Sequence, residues 1–376
     1  MQKLTWRQLA AVGSMLFGLF FGAGNLIFPV AMGQLAGRNL WAAAAGFLIT
    51  GVGLPLLGVA ALGLSRESGL LALSSRVGRG YGLAFTCALY LTIGPFFAIP
   101  RCATVSYTVG IAPLAPGGGA ALGVFSLAFF AVVLFFSLRP GQILTWVGKV
   151  LNPLFLAFLA VLVLRALAAP LGQAAAVEPA GAYRAAPFAT GLLEGYNTMD
   201  ALAGLAFGIL VVQAIRRLGV RAPGDVAVST VCAGVFSSAL MAGIYLLVTL
   251  VGAQSRGRFA AAANGGEALA RIAAAYFGRA GALILAATVT VACLKTAVGL
   301  ITSCGETFVE IFPHGPSYRV WAVGFCLLSF LIANLGLDAI LAWSQPVLMA
   351  LYPLAIVLIL LTLAGPLYGD DRAVLR

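Results

Sequence analysis

Long apolar runs separated by short polar stretches fill almost the whole chain. A helix rising about 1.5 Å per residue needs about 20 such residues to cross the hydrocarbon of a bilayer. By that measure ten segments read as spans, roughly 9–34, 40–64, 79–109, 120–138, 142–169, 188–215, 222–253, 279–311, 319–336 and 339–366. The runs are continuous and do not alternate, which argues against a β-barrel. The stretch Gly266–Phe277 is shorter and more polar. It predicts an amphipathic helix in a loop, with Glu267, Arg271 and Arg279 on or near its wet face.

Composition narrows the class further. Hydrophobic residues make up 62% of the 376 positions and charged residues 9%, with a mean hydropathy of +1.05. That excludes a soluble enzyme, a disordered chain and a secreted disulfide scaffold, and it makes the lipid bilayer the chain's solvent. The net charge of +11 does not point to nucleic acid, because basic residues in membrane proteins gather in cytoplasmic loops. With a cytoplasmic N-terminus, thirteen Lys and Arg residues fall inside and seven outside, while Arg101 and Lys295 lie within spans. Both termini are therefore expected to be cytoplasmic in a multi-pass membrane protein, and the Ala, Gly and Arg bias fits a GC-rich bacterial gene, which makes a bacterial inner membrane the expected location. Lys3 and Arg7 precede an apolar stretch that continues through Pro29, which reads as a retained first span and not a cleaved signal. The six cysteines lack metal-ligand spacing, and His314 stands alone in a Phe-Pro-His-Gly-Pro turn. No phosphate-binding glycine loop and no cluster of metal ligands or nucleophiles recurs. An enzyme, a metal centre, an organic cofactor and an ATP-driven pump are all disfavoured.

Two segments carry interruptions that a plain lipid-facing helix would not choose. The first is Phe20-Phe21-Gly22-Ala23-Gly24-Asn25-Leu26-Ile27-Phe28-Pro29, and the second is Glu194-Gly195-Tyr196-Asn197-Thr198-Met199-Asp200, followed by Gly204 and Gly208. Unwound backbone at membrane depth must line a cavity or bind something. The polar Asn25 makes the first run a predicted helix break, whereas Gly204 and Gly208 predict close helix packing. The breaks fall in the first and sixth segments. Five crossings separate them, so the second half starts on the opposite side of the membrane, and two five-helix halves are inverted. Paired broken helices in inverted halves point to a secondary-transporter site. The organisation expected is a first repeat over residues 1–170, an extracellular connection over 171–187, a second repeat over 188–368 and a cytoplasmic tail over 369–376. Half-helix N-termini offer N–H groups to a carboxylate, and half-helix C-termini offer carbonyls to a cation. Gly22, Ala23, Gly24, Asn25, Gly195, Tyr196, Asn197, Thr198 and Asp200 are therefore candidate substrate-binding residues. Asp200 could hold an ammonium, shuttle a proton, pair with Lys295 or cap the second half-helix. Arg101 and Glu194 form a candidate outer gate.

The first break resembles the first-helix motif of the bacterial branched-chain amino acid carriers of the system II (LIVCS) family. The resemblance continues through Gly94-Pro95-Phe96-Phe97-Ala98-Ile99-Pro100-Arg101 with Thr104-Val105-Ser106, and through Gly195-Tyr196-Asn197-Thr198-Met199-Asp200-Ala201. It runs on in Asn264-Gly265, in Ala292-Cys293-Leu294 to Gly299-Leu300, and in Ser344 to Pro353. It implies an all-α polytopic fold of the amino acid–polyamine–organocation superfamily, a LeuT-like five-plus-five inverted repeat. It also implies uptake of leucine, isoleucine and valine by alternating access, with Na⁺ or H⁺ as coupling ion. Phe96, Phe97 and Phe207 are then candidates for the apolar wall of the pocket. Members of this family usually carry about twelve spans, and this chain ends after the tenth; the inverted-repeat core is complete without the last two.

Lys295 departs from what the resemblance implies. It lies midway along the eighth segment, roughly 24 Å from either end, too far for its stem to reach water. In the LeuT-like arrangement a sodium site joins first-helix carbonyls, here those of Gly18 and Phe21, to the eighth-helix group Ala292, Lys295 and Thr296. The sodium-dependent pattern has hydroxyl residues at the last two of these positions. An ammonium there suggests a tethered cation on the same carbonyls, and with it proton coupling or Na⁺ independence. Two alternatives stay open at this point: a Na⁺ symporter with Lys295 structural, and a truncated membrane protein that binds amino acids without transporting them.

Overall fold

The computed structural model describes residues 4–22, 24–65, 67, 69–112, 118–139, 142 and 144–368. Ala23, Lys3, Arg66 and the tail 369–376 lie outside them. The described chain is helical, and helices follow all ten apolar segments. The first span is α1 (Trp6–Phe20) and α2 (Gly24–Ala36), interrupted at Phe21 and Gly22. A tight turn at Gly37–Asn39, with Gly37 at φ +50°, leads to α3 (Leu40–Leu48) and α4 (Leu54–Ser65), which form the second span. The short α5 (Leu70–Ser74) precedes α6 (Arg79–Leu91) and α7 (Ala98–Val105), the two halves of the third span. Then come α8 (Gly118–Ser137), α9 (Asn152–Ala168), and the sixth span as α10 (Pro187–Tyr196) and α11 (Asp200–Arg217). The remainder is α12 (Pro223–Ser255), α13 (Gly265–Phe277), α14 (Arg279–Ile311), α15 (Tyr318–Ala333) and α16 (Leu337–Tyr368).

Among the described residues seven helical runs are long and apolar enough to cross a membrane, or eight when the α10–α11 pair, bent by 42°, is taken as one span. The difference from ten has two causes. The turn at Gly37–Asn39 is itself helical, so α2 continues into α3 and α4 as one run, 24–65, and α1 is left short on the other side of the break. α15 has 16 residues, below the usual spanning length.

Local sequence explains the ends and the breaks. Thr5 and Gln8 close a reciprocal cap on α1, and prolines open α10 and α12, where a missing N–H costs nothing. The third span holds a break that the pattern did not predict. Gly94 leaves the helical region (φ −90°, ψ −123°) and Pro95 has no N–H to donate, so α6 and α7 are offset around Thr92–Phe97. The loop helix α13 forms as expected. Asn264 accepts from the Glu267 N–H at 2.9 Å, and Arg271 pairs with Glu267 at 2.6 Å on its exposed face.

α14 is the central post: 72% of its apolar window is buried, against 22% for the peripheral α8. α1, α7, α9 and α11 pack around it. α2 lies against α12 at backbone distance, because a methyl group on Gly33 would collide with the Thr249 carbonyl, and one on Gly252 with that of Val30. Gly204 and Gly208 do the packing work expected of them, against Pro55 and Leu62 of α4. Gly195 is also a packing glycine, with its missing Cβ taken up by Thr50. Gly33→Val should lower the melting temperature of the purified protein by an amount corresponding to about 1–3 kcal/mol or more. Gly243→Val on the exposed face of the same α12, where a Cβ meets nothing within 4 Å, should leave it unchanged in the same fluorescence scan.

Candidate functional site

The two helix breaks meet in the middle of the bundle. At the first, the Asn25 side chain turns back and its Oδ1 accepts from the Gly22 N–H at 3.1 Å, satisfying a donor freed by the unwinding. At the second, Met199 takes the left-handed conformation (φ 65°), which turns the chain sharply between α10 and α11. Thr198 Oγ1 donates to the Gly195 carbonyl at 2.9 Å and accepts from the Asp200 N–H at 3.3 Å. Thr198 thus does the local capping. Asp200 is the first helical residue, not the cap, and its side chain is released for a longer-range task.

That task is to join the breaks. Asp200 Oδ2 accepts from the Asn25 side-chain amide and from the Tyr245 hydroxyl, the latter at 3.1 Å, and Asn25 also donates to the Tyr245 oxygen. All three side chains are buried. One carboxylate therefore ties α2, α11 and α12 together. Tyr245 was not among the sequence candidates; the one tyrosine of its apolar segment was the available signal.

A small cavity of ≈ 30 Å³ lies between these groups. Its polar side is Gly22, Gly24, Asn25, Thr198, Asp200 and Arg101. Its apolar side includes Phe20, Ile93, Phe207 and Leu300, with the rings of Phe20 and Phe207 5.6 Å apart. Thr296 of α14 also lines it, and its Oγ1 is buried with no hydrogen-bond partner. A volume of this size holds about one water, so the cavity is contracted around its lining.

Several expectations shift. Phe207 lines the cavity, but Phe96 points out, 38% exposed, and Phe97 is half-buried away from it. The kink at Gly94–Pro95 swings the Phe96–Phe97 pair off the inner face. Tyr196 is also outside the cavity, its ring tilted against that of Tyr352 with centroids 4.6 Å apart, and the Tyr352 hydroxyl donates to the Tyr196 carbonyl at 2.6 Å. Asn197 borders a second space beyond the cavity. Ala23 lies outside the described residues. The Arg101–Glu194 pair does not form. Arg101 instead donates to the carbonyls of Asn197 at 3.1 Å and Thr198 at 3.4 Å, because those carbonyls, freed by the break, are the nearest strong acceptors.

Lys295 is fully buried in α14, sixteen residues from each end. It pairs neither with Asp200 nor with the Gly18 and Phe21 carbonyls. Its Nζ donates to Asn152 Oδ1 at 3.2 Å and lies 3.8 Å from the centre of the Phe155 ring and 5.5 Å from that of Phe17. Asn152 is held in that orientation by donating to the Ser14 carbonyl at 3.1 Å and to the Ser14 hydroxyl at 2.7 Å. Gly18 belongs to the same corner, since a Cβ there would stand 3.4 Å from the Asn152 side chain. Phe21 and Ala292 are buried nearby, Phe21 among the rings of Phe17, Phe155 and Tyr245. The polar Asn152 before Pro153 in an apolar segment was the clue to this partner.

Two broken helices crossing at a small amphipathic cavity, against a kinked third span and a central eighth, define a LeuT-like fold. The whole-chain likeness agrees. The chain matches Mhp1, a nucleobase-cation-symport-1 family transporter in a closed conformation with bromovinylhydantoin bound, at TM-score 0.60 and 15% identity, over 93% of this chain and 77% of that one. It matches MhsT in complex with L-phenylalanine at TM-score 0.58 and 17% identity, over 96% and 89%. Residues 6–376 match the family described as "Branched-chain amino acid transport protein", and the chain belongs to that family. It is 58% identical over 370 residues to the branched-chain amino acid permease BrnQ of Lactobacillus delbrueckii subsp. lactis, covering 98% of this chain and 83% of that protein. It is 45% identical to the branched-chain amino acid transport system 2 carrier protein of Pseudomonas aeruginosa, covering 98% and 83%. These relatives are transport proteins, not enzymes.

The three-way contact at Asp200 should behave as a unit. In a double-mutant cycle on thermal stability, Tyr245→Phe and Asp200→Asn should be non-additive, with a coupling of about 0.5–3 kcal/mol. Additive losses would mean the contact contributes nothing as a pair.

Proposed function

We propose that the chain carries leucine, isoleucine and valine across a bacterial cytoplasmic membrane by alternating access, with both termini cytoplasmic. The two five-helix repeats, 1–170 and 188–368, are the moving halves, joined by the extracellular connection 171–187. The observation that carries this reading is the cavity itself, with Asp200 and the freed peptide groups of both breaks on one side and Phe20, Phe207 and Leu300 on the other. That polarity suits an α-amino acid with an aliphatic side chain. Asp200 is the partner for the ammonium, and the orphaned Thr296 hydroxyl gains a partner when substrate arrives. An apolar wall separates one methylene by only about 1–3 kcal/mol, so leucine, isoleucine and valine share the site. The names of the relatives support the same substrate class.

Coupling is assigned to the proton. Of the three α14 positions facing α1, Ala292 has no side-chain oxygen and Lys295 brings a positive charge; only Thr296 offers a hydroxyl. With lysine at one of the two positions where a sodium site would take a hydroxyl, the oxygen set for Na⁺ is short of a ligand. Lys295 instead has one amide oxygen and two ring faces as partners, in the corner where Ser14 of α1 and Asn152 of α9 are hydrogen-bonded. Alternation between that setting and a hydrated one would load and unload a proton while α1 moves against α9.

Uptake of labelled leucine into proteoliposomes, with Na⁺ and H⁺ gradients imposed separately, tests this. Uptake should follow the proton gradient and ignore Na⁺, and Lys295→Thr should transfer the dependence toward Na⁺. A strict Na⁺ requirement in the native protein would remove Lys295 from the coupling step. Binding without uptake under either gradient would favour a non-transporting protein.

A further inference from the structure

We propose that Arg101 is the carboxylate receptor of this carrier, and that the space between Arg101 and α16 is the station where a zwitterionic, apolar amino acid docks first. This rests on the amino-acid reading above and extends it to the residue that recognises the substrate's other charge.

Arg101 is 6% exposed, in the middle of the bundle. A guanidinium presents five N–H donors in a planar fork, and here its hydrogen-bond acceptors are two neutral backbone carbonyls, one of them at a long 3.4 Å. Among the described residues no carboxylate stands at ion-pair distance from it. Asp200 lines the same cavity but stands beyond ion-pair distance, and a buried cation with no counter-charge in direct contact is costly to keep. An anion that arrives and leaves with the substrate resolves that cost, and a carboxylate matches the fork with two parallel hydrogen bonds.

Its position makes the argument specific. Arg101 borders two spaces at once. On one side is the contracted cavity of ≈ 30 Å³ that contains Asp200. On the other is a larger vestibule of ≈ 170 Å³, walled by Phe28, Asn197, Leu341, Ser344, Gln345 and Leu348. The vestibule has the amphipathic character of the ligand, lined by two leucines and a phenylalanine together with a serine and two amide residues. The guanidinium, with its Cζ 5.9 Å from the Phe28 ring centre, is therefore the floor of the vestibule and the roof of the cavity. A substrate held by its carboxylate at this side chain needs only a rotation of the arginine stem to bring its ammonium toward Asp200. The carbonyls of Asn197 and Thr198 are released in the same movement, which frees the second helix break to adjust. A static role, in which Arg101 only ties α7 to the break, predicts no preference for a carboxylate.

The test is equilibrium binding of labelled leucine to the full chain in nanodiscs, with leucinamide and isoamylamine as competitors. The native protein should prefer leucine over leucinamide by about 100-fold or more, as a site built to bond a polar group rejects an analogue that lacks it. Arg101→Gln should cut that ratio to about threefold while leaving leucinamide's own affinity within about threefold, and Arg101→Lys should fall between. If Arg101→Gln weakens both ligands equally and the ratio persists, Arg101 is a structural tie and the proposal fails. Leucine that does not bind the native protein at all would overturn the amino-acid reading itself, a separate result. Ser344→Trp narrows the vestibule from its α16 wall while keeping the arginine, and should slow leucine association by about tenfold. An unchanged association rate would rule out the docking station.

Discussion

Everything in this bundle follows from two helices that stop and restart where no water is available to satisfy their ends. Peptide groups exposed by such breaks must find partners inside the protein. Asn25 supplies one at the first break and Thr198 supplies others at the second. Asp200 then links the breaks through Asn25 and Tyr245. α12, which carries Tyr245, can reach because glycines let its backbone touch that of α2. The site is thus the by-product of satisfying the breaks, and the groups that satisfy them are the ones available to a substrate.

The buried ions differ in what holds them. Arg101, Asp200 and Lys295 are all buried, and they sit on three different helices around α14 or on it. Asp200 is held by an amide and a phenol, Arg101 by carbonyls, and Lys295 by an amide and ring faces. Each charge has neutral partners that would part with it at a modest cost. That is the arrangement expected where charges must meet moving partners, and unlike a static ion pair such as Arg271–Glu267 on the exposed face of α13.

The kinked third span is what brings Arg101 to the cavity that Asp200 lines. Without Gly94 and Pro95, a straight helix would carry Phe96 and Arg101 on a single regular spiral. The offset at Thr92–Phe97 turns Phe96 outward and presents Ile93, Ala98, Arg101 and Cys102 to the cavity. Glycine and proline in the motif were visible in the chain, but their effect on which side chains face inward was not.

Much of this protein was determined by its sequence alone. The length and order of the apolar runs specify the ten helical segments, because hydrocarbon thickness sets helix length. The run Gly22–Asn25 and the carboxylate at Asp200 specify the breaks, because apolar surroundings penalise unpaired peptide groups and charges wherever they fall. The tertiary structure decided the pairings. Periodicity says which face a residue occupies and nothing about what that face meets across 45 or 175 residues, the separations of Tyr245 and Asn25 from Asp200. Hence Gly195 and Tyr196 became packing residues, Arg101 passed over Glu194 for two carbonyls, and Lys295 turned from the first helix to Asn152. In each case the partner comes from another helix, and only the packing of the helices determines which groups meet.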